Sequence, residues 1–99
     1  MQAQWSIEST YAWIKLTGNF TFEGHRQFKE ATTAVLAAKG VETIEINFAK
    51  VDYLDSAALG MLLLLNERAG ERRIVLTEAT GTVRAVLDIA NFGKLFEIR

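Results

Sequence analysis

The stretch Val51–Gly70, VDYLDSAALGMLLLLNERAG, sets two aspartates and a serine against the most apolar run in the chain. Residues Ala57–Leu65 are apolar apart from Gly60, and this run is about half of the ~20 residues needed to cross a bilayer. It therefore predicts a core helix, enclosed by the sheet and by neighbouring elements. Asp and Ser are both favoured at a helix N-cap, where the side-chain oxygen accepts an unpaired N–H and contributes about 1 kcal/mol. Spacing alone thus favours a cap at Asp55 and Ser56, although a helix N-terminus also suits a phosphate, so a capping serine can be a modified serine.

Upstream of this stretch, alternating apolar residues predict two strands and a helical period predicts one helix. The expected elements are strands over Trp5–Glu8 and Tyr11–Thr17, a strand break at Gly18, and an amphipathic helix over Phe22–Gly40 that ends at Gly40. A half-buried strand over Thr43–Ala49 and a loop over Ala49–Asp55 then lead into the apolar helix.

Downstream, RIVLT at Arg73–Thr77 predicts a short strand, and Val83, Val86, Leu87 and Ala90 mark another helix. The last segment, Lys94–Arg99, suits an edge strand or a terminal docking segment. The order β-β-α-β-α-β-α-(β) predicts one α/β domain over residues 1–99, with a mixed sheet of four to five strands and right-handed crossovers.

Composition argues against several classes of function. The net charge is −1 and the eleven Lys and Arg residues are scattered, which gives no footprint for a nucleic acid partner. The absence of cysteine excludes disulfides and thiolate sites, and a single histidine, His25, argues against a histidine metal centre. We expect no metal and no cofactor. The N-terminus lacks a basic region followed by an apolar one, so we expect a cytoplasmic protein without membrane insertion.

Enzymatic activity is not expected either. A nucleophilic serine needs a base within reach, His25 lies far upstream of Ser56, and LDSAALG is not the G-x-S-x-G elbow of hydrolases. Asp52 and Asp55 could act as an acid–base pair or bind Mg²⁺, but a solvated turn with a helix cap is the commoner meaning of such spacing. Of the aromatic residues Trp5, Tyr11 and Trp13, we expect some in the core; an exposed patch would indicate a protein contact.

The segment Ile46–Leu65, INFAKVDYLDSAALGMLLLL, resembles the STAS domain of bacterial anti-sigma factor antagonists. The hallmark of that family is Asp-Ser-[Ser/Thr]-Gly-Leu-Gly at the start of an apolar helix, and here it reads DSAALG over Asp55–Gly60. LTGNFTF at 16–22 and NFGKLFEI at 91–98 extend the resemblance to essentially the whole chain. The nearest pattern is that of single-domain members with YLDSSALGMLLLL. Asn47 stands where many members have Asp, and Ala57 and Ala58 replace Ser/Thr and Gly, which leaves Ser56 as the only hydroxyl of the motif.

The resemblance implies a STAS fold and a function by partner switching. Unmodified, such a domain binds an anti-sigma factor that is itself a serine kinase; phosphorylated on the serine that corresponds to Ser56, it releases that partner, and a PP2C-type serine phosphatase resets it. The surface implied for the partner includes Asp52, Asp55, Ser56 and Ala57, together with Asn19, Thr21 and Glu23. An alternative is the small STAS subunit of an ABC-type lipid transporter, which binds the ATPase subunit. Such subunits usually carry Thr at the phosphorylated position, so Ser56 argues mildly against this alternative.

Overall fold

Alternating apolar residues in the two longest strands build the centre of a five-stranded sheet. The structure, a computed structural model, describes residues 1–99. The strands are β1 (Gln2–Glu8), β2 (Tyr11–Phe20), β3 (Thr43–Leu54), β4 (Arg73–Thr77) and β5 (Glu97–Ile98). The helices are α1 (His25–Ala37), α2 (Ser56–Ala69) and α3 (Gly81–Ile89), and 3-10 turns lie at Phe22–Gly24 and Phe92–Lys94. The α/β class and the predicted element order are confirmed, and the last segment forms a short strand.

The strands lie side by side in chain order, β1 to β5. β1 pairs antiparallel with β2, and β2 to β5 run parallel to one another. Three consecutive right-handed crossovers in one direction place all three helices on the same face of the sheet. On that face Ile14, Ile46 and Leu76 are fully buried against the helices. The opposite face carries no helix, and the carboxyl ends of β2 and β3 meet at one end of the sheet, where α1 and α2 begin.

Several predicted boundaries were wrong. β1 begins at Gln2 instead of Trp5, and α1 begins at His25 instead of Phe22, after the 3-10 turn. Gly18, with φ of 100°, bends β2 without ending it, because the strand continues to Phe20 alongside β3. β3 likewise runs to Leu54, so most of the predicted loop before α2 is strand. α1 ends at Ala37 because Ala38 takes an extended conformation, and Gly40, with φ of 85°, lies in the following turn.

The prediction that α2 is enclosed on all sides was also wrong. Leu62 and Leu65 are buried, but Leu63 and Leu64 are 41% and 53% exposed, because only one face of α2 packs against the sheet. None of the amino-terminal aromatic residues reaches the core either: Trp5 is 42% exposed, and Tyr11 and Trp13 are partly buried on the helix-free face. None of the helices has both the length and the apolar character needed to span a bilayer.

The helix-free face carries a hydrogen-bond network centred on Glu45 of β3. Its carboxylate accepts bonds from the Tyr11 hydroxyl at 2.6 Å, the Thr77 hydroxyl at 2.6 Å and the Asn47 amide at 3.3 Å. Partial burial raises the pKa of Glu45, but the hydrogen bonds from Thr77, Tyr11 and Asn47 outweigh it and leave that pKa below its usual value. The bond to Glu45 correspondingly raises the pKa of Tyr11. This network joins β2, β3 and β4 on the side where no helix covers them.

Candidate functional site

Asp55 and Ser56 have different positions at the start of α2, and the sequence alone could not tell which of them caps the helix. Asp55 is the N-cap of α2: its backbone is extended, and Oδ1 accepts the N–H of Ala58 at 2.9 Å. Ser56 is the first helical residue, and its side chain lies exposed to solvent. The cap is therefore the aspartate, and the serine hydroxyl is free of any protein partner. Ala57 follows, partly buried.

The second carboxylate oxygen of Asp55 reaches across to the loop after β2. Oδ2 accepts the N–H of Phe22 at 3.3 Å, and the N–H of Asp55 itself donates to the carbonyl of Phe20 at 3.3 Å. Asp55 therefore joins the start of α2 to the β2–α1 loop through both its side chain and its backbone. The two segments that the family resemblance implied as one surface are in direct contact.

Asp52 lies in β3 and not in a loop. In the pairing of β2 with β3, Gly18 opposes Val51 and Asn19 opposes Tyr53, so Asp52 is an extra residue in a β-bulge. Its side chain is exposed and makes no hydrogen bond within the chain. The bulge brings Asn19 beside Tyr53 near the end of the sheet.

Asn19, Thr21 and Glu23 are brought together around one shallow polar pocket of about 340 Å³. Met1 and Gly24 complete its lining. The pocket belongs to the same end of the sheet as Ser56, because β2 and β3 are adjacent and parallel and both end there. The structure thus groups all seven sequence-predicted residues at one end of the molecule.

Two exposed aromatic residues at this end escaped the sequence reasoning. Phe22 is 65% exposed and stacks on His25 with ring centroids 5.1 Å apart, and Tyr53 is 48% exposed on β3. Phe22 follows Thr21 and was predicted to begin the amphipathic helix, whereas Tyr53 follows Asp52 in the predicted loop before α2. A large aromatic residue flanked by polar ones just after a strand was the available signal for Phe22. Nδ1 of His25 donates one hydrogen bond to the Phe22 carbonyl at 3.3 Å.

A groove between α1 and α2 continues from the Phe22–His25 stack. Its volume is about 240 Å³, and its apolar lining comes from Phe28, Met61, Leu64 and Leu65. His25, Lys29 and Arg68 stand around it, and no acidic side chain lines it. Leu64, one of the two exposed leucines of α2, is therefore part of a concave surface beside the Ser56 end.

The order of the strands, the placement of the helices on one face and the exposed serine that follows an aspartate N-cap together define the class of this chain. The family model described as "Mlab, STAS domain" matches residues 4–97, and the chain belongs to the STAS domain family. One curated relative is a STAS-domain containing protein of Pseudomonas aeruginosa strain UCBPP-PA14, which is 39% identical over 87 residues, 86% of this chain and 84% of that protein.

Solved structures with the same fold include anti-sigma factor antagonists. One from Mycobacterium paratuberculosis matches with a TM-score of 0.87 at 17% identity, over 98% of this chain and 83% of that one. The Bacillus cell fate determinant SpoIIAA in its phosphorylated form matches with a TM-score of 0.74 at 20% identity, over 98% of this chain and 90% of that one. Unphosphorylated SpoIIAA, an anti-sigma factor antagonist, matches with a TM-score of 0.75, also at 20% identity, over 98% and 86%. These likenesses establish a SpoIIAA-like STAS fold for this chain.

Proposed function

We propose that this chain is an anti-sigma factor antagonist that works by partner switching, with Ser56 as its phosphorylation site. The observation that carries the proposal is the placement of Ser56: an exposed hydroxyl, fixed at the first turn of a helix whose cap is supplied by another residue. Structural likeness to SpoIIAA, which has been solved in phosphorylated and unphosphorylated forms, supports it.

The unmodified surface suits a protein partner. Phe22 and Tyr53 are large exposed aromatic side chains, and aromatic residues are enriched at the centres of protein interfaces. They lie at the end of the sheet that also carries Ser56 and the pocket formed by Asn19, Thr21 and Glu23. In the proposal an anti-sigma factor, itself a serine kinase, docks on this surface.

Phosphorylation would change charge far more than shape. It adds about −1.5 to −2 charges to Ser56, beside Asp55 and at the same end of the sheet as Asp52. The N–H groups of Ser56 and Ala57 precede the first intrahelical hydrogen bond of α2, so they are free to donate to the phosphate, and the helix dipole favours it. The fold therefore tolerates the phosphate, while a partner fitted to the neutral surface meets like-charge repulsion and a buried charge.

The chain supplies no chemistry of its own in this mechanism. The only histidine is held against Phe22, and Asp55 has both oxygens on backbone N–H groups. The kinase partner supplies ATP and catalysis, and a PP2C-type serine phosphatase removes the phosphate. The same surface could instead serve an ABC-type lipid transporter, as the small subunit that binds its ATPase.

The test uses the intact chain and candidate serine kinases with ATP. Mass spectrometry is expected to place one phosphate on Ser56, and Ser56→Ala is expected to abolish it. Ser56→Asp should weaken binding to the anti-sigma factor in a pull-down, whereas Ser9→Asp, at the exposed turn between β1 and β2, serves as the matched control and should not. A chain that is never modified at Ser56, and whose Ser56→Asp variant binds normally, contradicts the switch. Recovery of an ABC ATPase alone from native lysate would support the transporter subunit.

A further inference from the structure

The two edges of the sheet are protected unequally. β5 offers only two residues, and Glu97 at its start is ion-paired to Arg73 and Arg99. β1 offers seven residues, Gln2–Glu8, and pairs on one side only, with β2. Soluble proteins usually blunt such an edge with Lys, Pro or a bulge. β1 contains none of these, and its one charged residue, Glu8, stands at the end of the strand.

We propose that β1 pairs antiparallel with β1 of a second copy, so that two chains form one continuous ten-stranded sheet. A two-fold axis perpendicular to the sheet keeps the helices of both copies on the same face. Odd-numbered and even-numbered residues of β1 point to opposite faces of the sheet. Two residues that face each other across the junction must therefore both have odd numbers or both have even numbers. Among the registers that meet this condition, the register centred on Trp5 pairs all seven residues of the strand, and every other register pairs fewer.

The same register continues the apolar layer across the junction. In β1 the residues Ala3, Trp5 and Ile7 oppose Leu16, Ile14 and Ala12 of β2, which are buried beneath the helices. Trp5 and Ile7 thus point to the helix side, yet they remain 42% and 40% exposed because the sheet stops there. In the dimer, Trp5 faces Trp5 of the second copy and Ile7 faces Ala3. Such directly opposed apolar pairs are the unit of stabilisation between strands.

The charges fit a second copy as well. In this register Glu8 faces Gln2 of the second copy, and Gln4 faces Ser6, so no like charges meet along the junction. A strand supplied by an unrelated protein would have no such built-in match. The junction is also separate from the proposed switch, because Ser56 follows β3, two strands away from β1. Each dimer would therefore present two Ser56 surfaces.

The first experiment measures mass by sedimentation of the intact chain between about 1 μM and about 1 mM. The weight-average mass is expected to rise with concentration from the 11.1 kDa of one chain toward twice that value. Trp5→Lys places a cation against its own symmetry copy and is expected to abolish the rise. Ile89→Lys, which changes an 82% exposed residue on α3, is the matched control and should leave the rise unchanged. A wild-type chain that is monomeric throughout, or a dimer unaffected by Trp5→Lys, overturns the proposal.

The second experiment fixes the register and leaves the apolar residues in place. The chain has no cysteine, so single introduced thiols report on their own surroundings. A mixture of Gln4→Cys and Ser6→Cys chains is expected to oxidise rapidly to a mixed disulfide, because these positions face each other. Glu8→Cys should not cross-link to itself, since its two copies lie six residues apart along the strand, about 20 Å. Equal cross-linking in both samples overturns the register.

The outcome is separable from the proposed function, because neither experiment uses a kinase or a partner. Ser56→Asp is expected to keep the full concentration-dependent rise in mass. If β1 amides become protected from hydrogen exchange only when another protein is added, the edge belongs to a strand of that partner and the homodimer is rejected.

Discussion

Replacing Asp55 with alanine removes two hydrogen bonds that join different parts of the fold. The N-cap bond to Ala58 at 2.9 Å contributes about 1 kcal/mol to stability. The bond from Phe22 is longer, at 3.3 Å, and exposed, so it contributes about 0.5 kcal/mol, the lower end for a hydrogen bond. Asp55→Ala should therefore lower the free energy of unfolding by about 1.5 kcal/mol. Asp55→Asn keeps one acceptor for the cap and should cost about 0.5 kcal/mol.

Urea unfolding followed by circular dichroism measures both values, and the slope of free energy against urea should not change. In thermal unfolding, each kcal/mol corresponds to about 4–8 °C for a domain of this size. Asp52→Ala is the control: the same side chain is removed three residues earlier, where it is exposed and unbonded, and the change should stay within about 0.5 kcal/mol. If Asp55→Asn is as costly as Asp55→Ala, the two-bond account of Asp55 is wrong, and an equal cost at Asp52 would reject the cap altogether.

Three further results are expected. Leu62→Ala should cost about 2–5 kcal/mol and Leu64→Ala about 0.5 kcal/mol in urea unfolding, because the first leucine is fully buried and the second is exposed on the same helix; equal losses would contradict the one-sided packing of α2. The pKa of Glu45 is lower in the folded state than in the unfolded chain, where it is about 4.3, so the ionised carboxylate stabilises the fold at neutral pH. This stabilisation is lost as the pH falls below about 4.3 and through the pKa of the folded state. The stability difference between wild type and Glu45→Gln should therefore shrink in acid, and a difference that is constant with pH would refute the network. Phosphorylation of Ser56 should change the free energy of unfolding by less than about 1 kcal/mol in calorimetry, because the helix dipole offsets the repulsion from Asp55; loss of cooperative unfolding would show that the fold does not tolerate the phosphate.

The sequence predicted the order of elements because each carries a period of its own. RIVLT was placed to the residue as β4, since a short apolar run bounded by polar residues admits few other boundaries. The ends of β2 and β3 were missed because the pairing between these two strands decides where they end. Gly18 stays in β2 because it pairs with β3, and the segment around Asp52 stays in β3 because it pairs with β2. The local sequence of a strand does not indicate which strand will pair with it.

The candidate site divides in the same way. The aspartate-serine pair at the start of an apolar helix was readable, because helix capping is local chemistry. The bond from Phe22 to Asp55 spans 33 residues, so only the folded chain brings the two together. The exposure of Leu63 and Leu64 was hidden for a related reason, since composition alone does not say which side of a helix faces a sheet.

The shortness of β5 limits how large an assembly of this chain can become. A sheet with two long free edges can add chains at both ends and grow into a fibre, whereas this sheet has a long free edge on one side only. Pairing through β1 consumes that edge in both copies, and the two outer ends of the joined sheet are then the two-residue strands. Closure at two chains follows from geometry, and the same contact that joins the copies removes the surface on which uncontrolled aggregation would start.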